Sequence, residues 1–220
     1  MEINIQKRVM EANETMADQN RKFFAEKKVF VLNMMSSPGS GKTETLCKTL
    51  ARIMPGIRTG VIVGDIATRN DADRIEKTGA MAVQINTDKF GGDCHLAAHH
   101  IEKAAKELDL DALDLLIVEN IGNLVCPAEF DIGEDARTVV LSVTEGEDKP
   151  LKYPLMFRLA DSAILNKVDL LPYLDFNAKE AVENMGKVHP GMPVFELSAK
   201  TEEGFEPWIK WLKSKVQSKI

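Results

Sequence analysis

The segment Ser36-Ser-Pro-Gly-Ser-Gly-Lys-Thr43 constrains the fold of this chain more than any other feature. It follows the apolar run 29–35 and precedes a helical pattern over 43–53. A glycine-rich loop between a buried strand and a helix presents backbone N–H groups and a helix N-terminus to phosphate. A chance glycine-rich turn is the alternative, but strand, loop and helix occur in the required order. The segment therefore predicts a P-loop, with Ser36 in place of the usual first glycine.

The P-loop residues have distinct expected roles. Gly39 and Gly41 let the backbone curl around phosphate oxygens, Lys42 neutralises charge on the β- and γ-phosphates, and Thr43 offers a hydroxyl to Mg²⁺. Lys42 is also expected to be catalytic. The loop residues predicted to bind nucleotide are Pro38, Gly39, Ser40, Gly41, Lys42 and Thr43.

Apolar runs alternate with helical patterns along the chain. Strands are predicted at 29–35, 60–64, 82–86, 115–118, 138–143, 162–166 and 193–197, and helices at 3–26, 43–53, 95–108, 175–186 and 204–218. This alternation predicts an α/β fold with a doubly wound, mainly parallel sheet flanked by helices. We expect an N-terminal helix over 1–27 and a P-loop domain over 28–220, with ligands at the carboxyl ends of the strands.

Composition limits the classes of partner. A length of 220 residues suits one globular domain, and no run of apolar residues is long enough to span a membrane. The net charge of −6 disfavours nucleic acid as a partner. The first residues lack the apolar core of a signal peptide, so a cytoplasmic location is expected. Three cysteines argue against a disulfide framework.

Two short motifs at predicted strand ends identify the base. In Asn166-Lys-Val-Asp169, the Asp169 carboxylate can accept from guanine N1–H and from its exocyclic amine, which adenine does not offer. Asn166 and Lys167 are expected to brace the base and the P-loop. In Ser198-Ala-Lys200, the Ala199 N–H is expected to meet guanine O6. The combination predicts a GTPase of the P-loop superfamily that binds GTP and GDP.

Acidic residues at two further strand ends are candidates for the magnesium site and for catalysis. Asp65 ends the second strand, and Glu119 begins Glu119-Asn-Ile-Gly122. We expect Thr43, Asp65 and Glu119 to hold Mg²⁺ and the Gly122 N–H to reach the γ-phosphate. A strand-terminating turn is the alternative role for either carboxylate. Asp71 and Asp73 are candidates to orient the attacking water, or equally to cap a helix.

Cysteine and histidine residues suggest a second metal site. Cys94 and His95 are adjacent before a predicted helix, and Cys126 follows Gly122 closely. Two thiolates and an imidazole suit tetrahedral Zn²⁺ or planar Ni²⁺. Two buried cysteines and a surface histidine are the alternative. Other residues of these types are expected to pack or to be solvated: Cys47 in the core, and His99 and His100 on a helix face, with a second role as auxiliary ligands.

Several longer motifs resemble the hydrogenase maturation factor HypB family from about Val29 to the C-terminus. They are SSPGSGKT, GDIATRNDADRI, AVQINT, GGDCHL, ENIGNLVCPAEFDIGE, EGEDKPLKYP, NKVDLLPY and SAKTEEG. The resemblance implies a dimeric GTPase of the SIMIBI class that delivers nickel to [NiFe]-hydrogenase, with Cys94, His95 and Cys126 as metal ligands. It also implies three kinds of protein partner: a second copy favoured by GTP and metal, the hydrogenase large subunit, and other nickel-delivery proteins.

The sequence also departs from the family pattern. These residues contain no CxxCGC motif and no His-rich stretch, so tight N-terminal nickel binding and nickel storage are not expected of them. Glu44 stands where Thr is expected. The sequence shows no arginine in a finger-like position after the P-loop, so Lys149 and Lys152 are expected to reach across a dimer, unless their loop is simply solvated. Alternative functions are nickel insertion for urease and a regulatory GTPase switch with structural zinc.

Overall fold

The computed structural model describes residues 5–65, 70–87 and 94–219, with side chains from residue 8 onward. Parts of three predicted features lie outside the described residues: the start of the N-terminal helix at residue 3, residues 66–69 of the GDIATRNDADRI motif, and residues 91–93 of the GGDCHL motif.

Seven strands of the described residues form one sheet in the order β3-β2-β4-β1-β5-β6-β7. Every described strand pair is parallel, which confirms the predicted fold class. The strands are β1 (Phe30–Ser36), β2 (Thr59–Asp65), β3 (Met81–Asn86), β4 (Leu115–Gly122), β5 (Ala136–Ser142), β6 (Ser162–Asn166) and β7 (Val194–Glu196).

Helices cover both faces of this sheet. They are α1 (Ile5–Glu26), α2 (Lys42–Ile53), α3 (Asn70–Glu76), α4 (Ala98–Ala105), α5 (Cys126–Glu129), α6 (Lys149–Lys152), α7 (Pro154–Arg158), α8 (Ala178–Val188) and α9 (Phe205–Gln217). Short 3₁₀ turns lie at Leu110–Ala112 and Val168–Tyr173. No helix of the described residues is long and apolar enough to cross a membrane.

The central strand β1 divides the core between the two faces. Successive side chains of a strand point to opposite faces. Leu32 and Met34 pack in one apolar cluster with helices α2, α3 and α9. Val31 packs in a second cluster with α1 and α4. Every residue of β1 is buried, as its unbroken apolar run predicted.

Helix α1 packs against the sheet domain. Phe24 is fully buried in the cluster shared with α4. The Asn20 side chain donates to the carbonyls of Ala98 (2.8 Å) and Ile132 (3.0 Å). Burying an amide costs free energy unless it is hydrogen-bonded, so this pair of bonds fixes α1 in one position. The division into residues 1–27 and 28–220 stays a proposal.

Candidate functional site

The P-loop lies at the carboxyl edge of the sheet and lines a cavity of about 410 Å³. Gly39 and Gly41 have positive φ angles of 75° and 88°. A Cβ on Gly41 would lie 2.5 Å from Asn166 Nδ2, so only glycine fits there. Ser36 is the last residue of β1 and is not among the residues with positive φ, which explains why serine is tolerated.

The predicted magnesium ligands lie together beside this loop. Glu119 is 1% exposed, and its Oε1 accepts from Thr43 Oγ1 (2.6 Å) and Lys42 Nζ (3.2 Å). Its Oε2 is buried and has no hydrogen-bond partner among the described residues. Asp65 lines the same cavity. Buried polar atoms are nearly always paired, so an unpartnered carboxylate oxygen beside a hydroxyl fits a hard cation such as Mg²⁺.

The first turn of α3 carries the two acids proposed to orient water. Asp71 lines the cavity and pairs with Arg74 at 3.5 Å, whereas Asp73 is not among the described lining residues. Both acids lie inside the helix, which begins at Asn70, so neither is its N-cap. Whether or not these acids orient water, their negative charges in the first turn interact favourably with the dipole of the helix. Of the two, Asp71 is the one placed to meet a nucleotide.

The two motifs predicted to recognise the base meet because β6 and β7 are neighbours in the sheet. Ser198 Oγ donates to Asp169 Oδ1 (2.6 Å), which joins the motifs directly. Asn166 Nδ2 donates to the Ser40 carbonyl (2.9 Å), and Lys167 Nζ donates to the Gly39 carbonyl (2.7 Å). These two bonds brace the P-loop from the base side.

The third part of the predicted base site is the segment after Ser198. The Ala199 N–H, expected to meet guanine O6, donates to Asn166 Oδ1 at 3.1 Å. Lys200 is exposed, and its N–H donates to Ser198 Oγ at 3.2 Å. The predicted base-site residues are therefore contiguous with one another and with the P-loop.

The three predicted soft-metal ligands lie together. Ligand atoms of Cys94, His95 and Cys126 all lie within 4.8 Å of one another, and each residue is half-buried. The His95 ring stacks on Phe130 with 3.7 Å between centroids. Two sulfurs and an imidazole nitrogen at this spacing suit Zn²⁺ or Ni²⁺, because both ions accept such ligands at about 2.0–2.3 Å.

Asn123 orients one of these ligands, a role that the sequence did not indicate. Its Nδ2 donates to Cys126 Sγ (3.4 Å), and its Oδ1 accepts from the Val125 N–H (2.7 Å) and the Cys126 N–H (3.4 Å). It directly follows Gly122, where a Cβ would lie 3.0 Å from Pro38 Cα. Only a few residues therefore separate Gly122, which lies against Pro38 of the P-loop, from the thiol of Cys126.

One histidine prediction is wrong. His100 is buried rather than solvated, because its Nδ1 accepts from the Ala97 N–H (3.1 Å) at the start of α4. His99 is exposed, as expected. Cys47 packs against the core, also as expected, and burial raises the pKa of its thiol.

Two further side chains at the P-loop were not identified from the sequence. Glu145 accepts from the Ser37 hydroxyl and from the Ser142 N–H (2.9 Å). Arg74 lines the nucleotide cavity and pairs with Glu44. A local sequence pattern does not reveal such side-chain contacts, because the two partners are far apart in the sequence.

A parallel sheet with a P-loop at its carboxyl edge defines a P-loop nucleotide-binding protein. Residues 30–196 match the CobW/HypB/UreG nucleotide-binding domain family. The chain is 50% identical over 206 residues to the hydrogenase maturation factor HypB of Escherichia coli strain K12, covering 94% of this chain and 70% of that protein. The chain belongs to the HypB family of hydrogenase maturation factors, which confirms the resemblance seen in its motifs.

Solved structures agree with this assignment. HypB from Helicobacter pylori in complex with nickel matches with a TM-score of 0.87 at 39% identity, covering 94% of this chain and 96% of that chain. HypB from Archaeoglobus fulgidus matches with a TM-score of 0.86 at 36% identity, covering 94% and 99%. The signal recognition particle 54 kDa protein from Aeropyrum pernix, in complex with GDP, matches at 15% identity with a TM-score of 0.59, covering 86% and 46%. This last likeness concerns the fold alone.

Proposed function

We propose that the protein is a GTP-hydrolysing metallochaperone that binds nickel or zinc and assists nickel insertion into [NiFe]-hydrogenase. The observation that carries this proposal is the cluster of Cys94, His95 and Cys126, whose ligand atoms lie within 4.8 Å of one another. Cys126 is four residues beyond Gly122, which lines the nucleotide cavity. The nickel complex of the H. pylori relative supports a nickel role for this cluster.

The proposed reaction is hydrolysis of GTP to GDP and phosphate. The water oxygen forms a bond to the γ-phosphorus while the bond from that phosphorus to the β–γ bridging oxygen breaks. Both water protons leave with the released phosphate, as H₂PO₄⁻, and the bridging oxygen stays on GDP. Asp71 is the candidate to orient the water. When bound at Thr43, Asp65 and Glu119, Mg²⁺ supplies positive charge to the β- and γ-phosphates. Lys42 turns from Glu119 toward those phosphates.

Nucleotide state is proposed to reach the metal ligands through Gly122 and Asn123. Gly122 packs on Pro38 of the P-loop, so a γ-phosphate bound to its N–H shifts this segment. Asn123 follows directly and holds Cys126 Sγ at 3.4 Å. A small shift of this loop changes the spacing of Cys126 from Cys94 and His95, and therefore the affinity for metal.

Metal titration tests this function. The metal-free protein is titrated with Ni²⁺, and separately with Zn²⁺, in nucleotide-free, GDP and non-hydrolysable GTP forms by calorimetry. We expect about one ion per protomer and an affinity about tenfold weaker with the GTP analogue, within the usual range of coupling between sites. Cys126→Ala should abolish tight binding, whereas Cys47→Ala should not. Equal affinities in all three forms would contradict the coupling, and equal behaviour of the two variants would contradict the site.

Dimerisation is the second part of the proposal. Lys149 and Lys152 lie on α6, close behind Glu145, which contacts the P-loop. Lys152 pairs with Asp148 at 2.6 Å, an exposed contact that a phosphate can displace. We propose that these lysines reach the nucleotide of a second copy, with both metal clusters near the two-fold axis. Ligands that bind only the dimer then favour it by mass action.

Light scattering tests the dimer. The protein is measured at tens of micromolar with GDP and with a non-hydrolysable GTP analogue, each with and without Ni²⁺ or Zn²⁺. We expect the mass to double with the GTP analogue, most completely when metal is present. A monomer in every condition would mean that the metal cluster acts within one subunit.

Urease is the second candidate client. A relative from Helicobacter pylori strain J99 named hydrogenase/urease maturation factor HypB is 39% identical over 218 residues, covering 97% of this chain and 88% of that protein. Nucleotide chemistry is shared by both candidates, so only the client distinguishes them. Activation of each enzyme in a host deprived of its own maturation factor tests the choice. A regulatory switch with structural zinc would instead keep its metal on binding GTP.

A further inference from the structure

The charge inside the nucleotide cavity is unbalanced toward acid. Among the described residues that line the cavity, Lys42 and Arg74 carry the cationic side chains, against the carboxylates of Glu44, Asp65 and Asp71. Lys42 already contacts Glu119, and only 10% of its side chain is exposed. A nucleoside triphosphate brings further negative charge into this space. A cationic side chain at the phosphates, in addition to Lys42 and the proposed Mg²⁺, is therefore electrostatically favoured.

Arg74 is positioned to be that cation. It lies on α3, its side chain is 41% exposed, and its guanidinium pairs with Glu44 and with Asp71 Oδ1, the latter at 3.5 Å. Glu44 directly follows Thr43, so the guanidinium is held beside the phosphate-binding turn of α2. Ion pairs between half-exposed groups are weak because water competes with them. A phosphate that accepts two parallel N–H bonds from a guanidinium is a stronger partner.

We propose that Arg74 binds the terminal phosphate of the nucleotide from within the same chain, and that Glu44 holds it aside when no nucleotide is bound. This inference rests on the proposed GTPase function. It also gives a role to Glu44, whose presence the sequence left unexplained. Glu44 keeps a cationic partner when Arg74 is released, because Lys48 lies one turn further along α2 with its Nζ 3.9 Å from Glu44 Oε1.

The competing interpretation is purely structural: the ion pair between Arg74 and Glu44 holds α3 against α2. The two interpretations differ in the role of Glu44. If the ion pair only stabilises the packing of the two helices, removing either partner has the same effect. If Arg74 binds phosphate, removing Glu44 releases the guanidinium and preserves or increases activity, whereas removing Arg74 reduces it.

The experiment uses the full chain with Mg²⁺ and compares Arg74→Ala, Arg74→Lys and Glu44→Gln. Two quantities are measured: kcat for GTP, and the ratio of affinities for a non-hydrolysable GTP analogue and GDP, by fluorescent nucleotide binding. We expect Arg74→Ala to lower kcat about 10²-fold and to reduce the preference for the GTP analogue. Arg74→Lys should be intermediate because it keeps charge but loses the two-pronged geometry. Glu44→Gln should raise kcat about two- to fivefold.

Arg52→Ala is the matched control. Arg52 also lies on α2 and pairs with an acid, Glu202, but it is not among the described residues that line the cavity. It should change neither kcat nor the affinity ratio. Added guanidinium should restore part of the kcat of Arg74→Ala. Such rescue is not expected if Arg74 only holds the two helices together.

Two outcomes would overturn the inference: equal losses in Arg74→Ala and Glu44→Gln, or an unchanged affinity ratio in both Arg74 variants. Failure of the proposed function gives a different result, since the parent protein itself would then not hydrolyse GTP. The affinity ratio still tests Arg74 in that case. If Arg74→Ala does not fold, as judged by circular dichroism, Arg74→Lys decides the question by the same ratio.

Discussion

Asp169→Asn is expected to change the preferred base from guanine to xanthine. The Asp169 carboxylate is the proposed acceptor for guanine N1–H and the exocyclic amine, and the new amide would place an N–H donor against those donors. Xanthine has a carbonyl at C2, where guanine carries the amine, and this carbonyl can accept from the new amide. Mismatched polar groups in a closed site discriminate by roughly 10⁴, so we expect a loss of GTP affinity of about 10³- to 10⁴-fold.

The contacts around Asp169 allow the substitution to asparagine without disturbing the fold. Asp169 Oδ1 already accepts from Ser198 Oγ at 2.6 Å, and a carboxylate oxygen has a second lone pair for the base. The hydroxyl can also donate to an asparagine carbonyl oxygen, so the contact between the two motifs survives. The loss should therefore concern recognition and leave the fold intact.

Competition between GTP and XTP measures the change. The parent should prefer GTP, and Asp169→Asn should prefer XTP. Asp175→Asn is the matched control, because Asp175 is an exposed acid just beyond the Val168–Tyr173 turn. It should keep the parental preference. An Asp169→Asn protein that discriminates between GTP and XTP as the parent does would remove Asp169 from base recognition.

The sequence predicted those elements whose burial is uniform along the chain. Strands β1 and β6 are buried along their whole length, and their apolar runs identified them almost to the residue. The P-loop was predicted with the same accuracy, because its glycines have a local conformational role. These features depend on neighbouring residues only, and a local pattern is therefore sufficient to find them.

Strand β4 shows where the local pattern fails. The apolar run predicted 115–118, but β4 extends to Gly122 and includes two buried polar residues, Glu119 and Asn120. Thr43 and Lys42 donate to Glu119 Oε1, and Asn33 and Leu96 bond to Asn120. These partners come from distant segments, so the sequence gives no sign that polar residues can be buried there.

The same limit applies to the start of α4. The helix was predicted from residue 95 but begins at Ala98, because the Leu96 N–H donates to Asn120 Oδ1 (3.2 Å) rather than entering the helix. His95 therefore stays in the loop, where its ring reaches the cysteines. The contribution of Arg74 to the cavity was missed for a related reason: its pairing with Glu44 joins two helices.

Lys42→Ala is expected to abolish most GTP hydrolysis. Lys42 is the P-loop lysine, and in this structure its Nζ lies 3.2 Å from Glu119 Oε1 with 10% of the side chain exposed. Its low exposure follows from this contact with the buried Glu119 carboxylate. Removing a cation aimed at developing phosphate charge costs about 10²- to 10³-fold in kcat. Turnover is measured at saturating GTP and Mg²⁺, with Lys210→Ala, at an exposed position of α9, as control.

Stability separates a catalytic loss from a folding defect in Lys42→Ala. Without Lys42, Glu119 keeps the Thr43 hydroxyl bond at 2.6 Å but loses its buried cation. An imperfectly satisfied buried group costs about 1–3 kcal/mol, which lowers the unfolding temperature without preventing folding. Mg²⁺ at its proposed ligand Glu119 would replace the lost charge, so the deficit in the unfolding temperature should shrink as Mg²⁺ is added while kcat stays low. Turnover equal to that of the parent would exclude Lys42 from the mechanism, and a deficit that Mg²⁺ does not reduce would argue against Glu119 as its ligand.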